Sequence, residues 1–334
     1  MTVIRCIRIA TIALLATACT IQRGKPADAK DEHMSHMSAS DKTAPRTMSA
    51  GDVSVSQGTP GLPASNSTAA ARIAASPRHA EWVRIAWEPG SSDSLMAWVV
   101  YPATSNAKTP VVVVVHEIFG LSTWVRGVAD QVAADGFIAI APDLLSRVRG
   151  GSTSVELSGD SARKLIAGVN VAERNKGITA AANYAMSQAS AAPRYAVIGY
   201  CWGGSTTWGA AVSNGKGFSG GVAFYGTPYM NGPVPNGDSL AKITKPVMLL
   251  SGSKDARIGA AMPAIDSAMK ALGKSYSGTN YDGAIHGFLR AQDDPKAATP
   301  QCDEACANKE RADNLAATKD GWPKTVAFLK QALK

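Results

Sequence analysis

Apolar residues run through the chain in two rhythms. "EWVRIAW" (81–87) and "SLMAWVVYP" (94–102) are short, rich in branched and aromatic residues, and close enough to pair as antiparallel strands. Val111–Val115 is an unbroken β-branched run, the pattern of a strand buried on both faces and therefore of a parallel sheet. From there the rhythm alternates. An amphipathic helix is expected over Thr123–Ala134, a strand at "GFIAIAP", and helices between about 160 and 190. Further strands follow at "YAVIGY", "GGVAFYG" and "KPVMLLSG", and a long helix near the C-terminus. Strands alternating with helical segments predict an α/β fold with a mostly parallel sheet flanked by helices, in one domain over residues 78–334.

Upstream the pattern is different. Arg5 and Arg8 lead into an apolar stretch, Ile9–Ala18, that is too short to span a bilayer and ends in a small-x-small cleavage pattern. Residues 1–19 therefore read as a leader for export to the periplasm or medium. "LLATAC" ending at Cys19 resembles a bacterial lipoprotein box, with Ala16 where leucine is commonest, so free secretion and lipid anchoring through Cys19 both fit. Residues 20–77 are rich in Ser, Ala, Thr, Gly, Pro and charge, a composition that cannot offset its ordering entropy by burial, and are expected to form a disordered linker. His33–Met37, "HMSHM", holds ligands suited to a soft metal ion but specifies no closed geometry, and is read as solvated linker. The net charge of +8 over 334 residues is scattered, with no run of five basic residues and no recognition motif, which argues against nucleic acid as a partner.

Reactive residues in such a sheet belong at the carboxyl ends of its strands. Cys201 sits there, in Gly199-Tyr200-Cys201-Trp202-Gly203, the nucleophile-elbow pattern with cysteine in the serine position. At a helix N-terminus its thiolate would be favoured. The histidines sort by elimination. His33 and His36 lie in the linker, His79 precedes the first strand and His116 ends the valine run. His286, in "YDGAIHGFLR", remains as the base. Asp255, after the strand "VMLLSG", is the favoured orienting acid over Asp143 and Asp282, since nucleophile, acid, histidine is the chain order of α/β-hydrolases. The Trp202 N–H and the Ile118 N–H would form the oxyanion hole, with Glu117 beside the thiol.

Taken together, "VVVVVHEIFGL", "GFIAIAPDLL", "GYCWGG", "GSKDARI" and "GAIHGFLR" resemble the dienelactone hydrolase family of α/β-hydrolases over roughly residues 80–331. The resemblance implies a Cys201–His286–Asp255 triad that opens small esters or lactones through a thioester. It implies that Glu117 holds the resting thiol and helps form the thiolate, that Arg290 meets a substrate carboxylate, and that no cofactor or metal is used. A peptidase or acyltransferase on the same fold, and a non-catalytic binding homologue, remain as alternatives. Cys302 and Cys306 would share one face of a helix about 6 Å apart at Cα, within disulfide reach, with two free thiols as the other outcome.

Overall fold

In the computed structural model, residues 56–104, 108–151, 159–294, 299 and 302–334 are described. The leader, Cys19 and His33–Met37 lie outside them. The strands are β1 (Ala80–Ala86), β2 (Ser94–Val100), β3 (Thr109–Val115), β4 (Ile138–Asp143), β5 (Ala191–Tyr200), β6 (Phe218–Phe224), the two-residue pair β7 (Met230–Asn231) and β8 (Val234–Pro235), β9 (Val247–Gly252) and β10 (Tyr276–Tyr281). The helices are α1 (Ala69–Ala74), α2 (Thr123–Ala134), α3 (Ser146–Arg149), α4 (Gly159–Ala167), α5 (Val171–Met186), α6 (Trp202–Ser213), α7 (Gly237–Ala241), α8 (Ala256–Ala271), α9 (Phe288–Ala291) and α10 (Glu304–Ala332).

Eight strands form one sheet in the order β1-β2-β4-β3-β5-β6-β9-β10. β2 runs antiparallel to both β1 and β4, and every other pairing is parallel. β3 is central, and its valines explain why. Val112 and Val114 join the core formed with Trp124, Val125 and Val128 of α2, while Val111, Val113 and Val115 join the opposite core, with Ile178 of α5. All five are fully buried, so each face of β3 gains the full transfer energy of a branched side chain, about 1.5–3 kcal/mol apiece.

Register then places the site. Val115 pairs with Gly199, Tyr200 with Phe224, Phe224 with Leu250, and Gly252 with Tyr281. The loops that follow β3, β5, β6, β9 and β10 therefore leave the sheet at one edge. Because β4 lies on one side of β3 and β5 on the other, a crevice opens between the ends of β3 and β5, the usual ligand position in such sheets.

One boundary is corrected. The stretch from 56 to 77, expected to belong to the linker, packs against the domain. Leu62, Ala64 and Ala69 are buried in the core beside α2, and the Trp124 indole N–H donates to the Ala64 carbonyl at 3.0 Å. The Arg72 guanidinium gathers the strap, donating to the carbonyls of Gln57 (2.8 Å), Leu62 (3.0 Å) and Thr59 (3.1 Å) and to Gln131 of α2 (3.2 Å). Composition missed this because the order comes from backbone carbonyls meeting one arginine, with few apolar residues involved. At the other end Cys302 and Cys306 are paired as a disulfide, with their Cα atoms 5.3 Å apart. Their sulfurs lie near the Glu310 carboxylate, which accepts from Thr299 and Lys254.

Candidate active site

Cys201 stands between β5 and α6 with φ 57° and ψ −112°. A non-glycine residue in this region costs about 1–3 kcal/mol and persists only where its surroundings impose it. Two glycines do so. A Cβ on Gly199 would come 2.1 Å from the Gly203 carbonyl oxygen, and one on Gly203 would come 2.4 Å from that of Val115. The turn is tight because α6 starts directly against β3 and β5. Cys201 is the N-cap of α6, and the Trp202 N–H is among the amides of the first turn that no helical carbonyl can reach.

Asp255 follows β9 and uses its two oxygens separately. Oδ1 accepts from the Ile258 N–H at 3.3 Å and so caps α8, while Oδ2 meets His286 Nδ1 at 2.5 Å. His286 Nδ1–H is therefore the donor, and the ring lines the same cavity as Cys201, whose neighbourhood also favours the protonated histidine. Burial opposes protonation of His286, but the interactions with Asp255 and Cys201 outweigh it and raise its pKa to about 10. Burial also pushes the Asp255 carboxyl up, yet the His286 hydrogen bond and charge, with the Ile258 N–H, hold it below the ordinary carboxylate value. The competing acids stand elsewhere. Asp143 is fully buried and accepts from the Leu145 N–H at 3.1 Å, while Asp282 is exposed and accepts from Ser253 at 3.2 Å.

Glu117, in the loop after β3, is 5% exposed, and its Oε2 lies 3.7 Å from Arg290 Nε. The Arg290 guanidinium stacks 5.1 Å from the Phe119 ring centre and donates to Asn66 Oδ1 at 3.4 Å. Cys201, His286, Glu117, Ile118, Arg290 and Asn66 line one cavity of about 390 Å³. A larger cavity of about 840 Å³, between the end of β1 and α5, has no cysteine or histidine in its lining.

Three residues of this region were missed in the sequence. Asn66 comes from the strap, and its N–H donates to the Arg290 carbonyl at 2.9 Å. Tyr225, at the end of β6 with φ 39°, sets its ring 5.0 Å from His286. Among the described residues its buried hydroxyl has no hydrogen-bond partner, and burial raises its pKa well above the ordinary phenol value. His116 is fully buried beneath the elbow, with its ring stacked 5.5 Å from Trp202. Its position directly before Glu117 was the available signal for it. Asn66 left none, since nothing local ties it to residue 290.

An eight-stranded sheet with two antiparallel strands at one edge, a strained elbow after its central strands, and an aspartate and a histidine on the following strand ends define an α/β-hydrolase. The sequence model of the dienelactone hydrolase family matches residues 95–333, and the chain belongs to that family of hydrolases acting on ester bonds. A "Putative carboxymethylenebutenolidase" of Salmonella typhimurium is 27% identical over 252 residues, covering 73% of this chain and 85% of the relative. "Carboxymethylenebutenolidase 1" of Cupriavidus pinatubonensis is 24% identical, covering 67% of this chain and 92% of its own. The crystal structure of a "Putative Dienelactone Hydrolase" from Klebsiella pneumoniae superposes with a TM-score of 0.57 at 25% identity, over 76% of this chain and 99% of that one.

Proposed function

We propose that the protein hydrolyses small esters or lactones with Cys201 as nucleophile, through a thioester. The observation that carries this reading is the Asp255–His286 hydrogen bond placed in one cavity with a cysteine on a strained elbow. His286 takes the Cys201 proton, and Sγ attacks the carbonyl carbon. The developing oxyanion is met by the Trp202 and Ile118 N–H groups, worth about 10²–10³ in rate per donor. On collapse the C–O bond breaks, and His286 returns its proton to the leaving oxygen, which in a lactone stays on the same molecule. His286 then deprotonates a water that attacks the thioester and restores the thiol. Asp255 keeps the imidazole in the required tautomer throughout.

Glu117 and Arg290 face one another across the cavity that holds Cys201. An incoming carboxylate would compete with Glu117 for Arg290 and release the glutamate toward the thiol. The curated relatives are named for a butenolide that carries a carboxymethylene group, which supports acidic lactones as the preferred class. The test uses a small activated aryl ester with wild type, iodoacetamide-treated wild type and Cys201→Ala. Loss of turnover in the last two supports the reading, while a Cys201→Ala protein that still turns over rejects it. We further propose that the protein is exported. The leader pattern and the Cys302–Cys306 pairing support this, since disulfides persist in oxidising compartments. Recovery of the chain from the cytosol at full length, with both thiols free, would reject export.

A further inference from the structure

His116 is a fully buried, titratable side chain that the proposed chemistry does not use. Its two ring nitrogens have different partners. Nε2 receives the Leu144 N–H at 3.1 Å and must therefore be unprotonated, so the proton is on Nδ1. Nδ1 lies 2.6 Å from the Glu117 carbonyl oxygen and donates to it. That carbonyl belongs to the same peptide unit as the Ile118 N–H. A trans peptide is planar, with C=O and N–H pointing in opposite directions, so whatever fixes one fixes the other. The Gly120 N–H also reaches the Glu117 oxygen, at a longer 3.4 Å, from within the same loop. The short bond from a ring locked in the core is thus the stronger of two restraints on this plane. It also polarises the peptide, because an amide whose carbonyl accepts a hydrogen bond becomes a better donor at nitrogen.

The same ring supports the second half of the hole. It stacks on the Trp202 indole at 5.5 Å with an interplanar angle of 19°, and Trp202 carries the other N–H. The Gly203 residue that follows sits so close that a Cβ there would come 2.6 Å from the His116 carbonyl oxygen. Burial lowers the His116 pKa, while Asp143, with Oδ1 3.9 Å from Nε2, works against that shift. The ring is neutral in the arrangement described, with one donor and one acceptor, both occupied.

We propose that His116 is a positioning residue for the oxyanion hole: its Nδ1–H holds the Glu117–Ile118 peptide so that the Ile118 N–H points at the substrate carbonyl oxygen. This rests on the reading that Cys201 attacks a carbonyl and that Ile118 supplies one of the two donors. It assigns a directing role in catalysis to a histidine that touches neither substrate nor thiol.

The experiment compares two reactions of the same thiol. Acylation by an aryl ester passes through a tetrahedral oxyanion. Alkylation by iodoacetamide is a direct displacement at carbon, in which the thiolate displaces iodide, and forms no oxyanion. In His116→Leu, which removes the donor and keeps an apolar volume, the acylation rate should fall about 10- to 100-fold, somewhat less than outright loss of a hole donor costs. Alkylation of Cys201 should stay within about twofold, since the helix N-terminus that assists the thiol is unchanged. His116→Asn places an amide N–H where Nδ1 stood but leaves the Leu144 N–H without its acceptor. It should be less stable than wild type and yet recover most of the acylation rate. If acylation and alkylation fall together in His116→Leu, or if His116→Asn loses as much acylation as His116→Leu, the ring only supports the fold and the proposal is overturned. No change in acylation would overturn it as well. Cys201→Ala is the separate control. An Ala variant that still hydrolyses the ester refutes the nucleophile itself, whatever the His116 variants do.

Discussion

Asp255 splits one carboxylate between a helix cap and a histidine, so its charge bears on stability and, in the proposed mechanism, on turnover. Its pKa is lowered in the folded protein. The stabilisation it contributes is therefore complete above the ordinary carboxylate value, about 3.9, and is lost as pH falls through the lower folded value. Asp255→Asn can still cap α8 but has no charge to lose. The difference in Tm between wild type and this variant should be at its full size near pH 5, where both the Asp255 charge and the protonated His286 contribute, and shrink below about 4. A difference that keeps growing below about pH 4 would contradict the assignment. His286 works in the opposite sense, since its pKa is raised. Its contribution is in full below its unfolded value, near 6.5, and fades as pH rises toward about 10. At the same scale, the proposed mechanism gives Arg290 a substrate carboxylate to select. Arg290→Ala should lower kcat/KM on a carboxylate-bearing lactone by about 1.5–3 kcal/mol, the range for a hydrogen bond to a charged group, and leave a neutral ester nearly unchanged. The ratio of the two substrates is the measurement, and equal losses on both would mean a damaged His286 loop.

The strap of residues 56–75 is the element whose role differs most from its sequence pattern. Arg72→Ala would release the carbonyls of Gln57, Thr59 and Leu62 together and loosen the contact that supplies Trp124 with its acceptor. We expect a loss of about 2–3 kcal/mol in urea unfolding, the cost of charge-assisted bonds broken at a part-buried site, and new protease cleavage near residue 64. Unchanged stability and an uncut strap would show that it does not need Arg72. The sheet was legible in advance because burial imposes a period that sequence records. β3 reads as unbroken valine, β1 and β2 as a close apolar pair, and α2 as an amphipathic stretch whose span the structure repeats at Thr123–Ala134. The elbow at Cys201 was legible because glycines stand two positions before and after it, where a side chain would clash, and the pairing of His286 with Asp255 because both follow strands. Contacts between distant segments left no such record. Asn66 reaches Arg290 across 224 positions and has no local pattern to betray it.

At the scale of the whole molecule the site is one edge of a sheet buried on both faces. Cys201, Asp255, His286 and Glu117 each follow a strand of the sheet, while Asn66 comes from the strap. The cavity that holds the thiol is smaller than the one beside α5, and chemistry rather than size identifies it. The fold therefore presents a single cysteine, with its histidine, at a fixed place above β5. No helix among the described residues is long and apolar enough to cross a membrane. The central claim is that an acyl group passes through Cys201 during turnover. Rapid mixing with a slowly deacylated aryl ester, acid quench and peptide mass analysis measures it directly. The account predicts a burst of one phenol per active site and a single acyl adduct on the peptide carrying Cys201, absent from Cys201→Ala. Turnover at full rate with no adduct on that peptide, or an adduct on another residue, would contradict it.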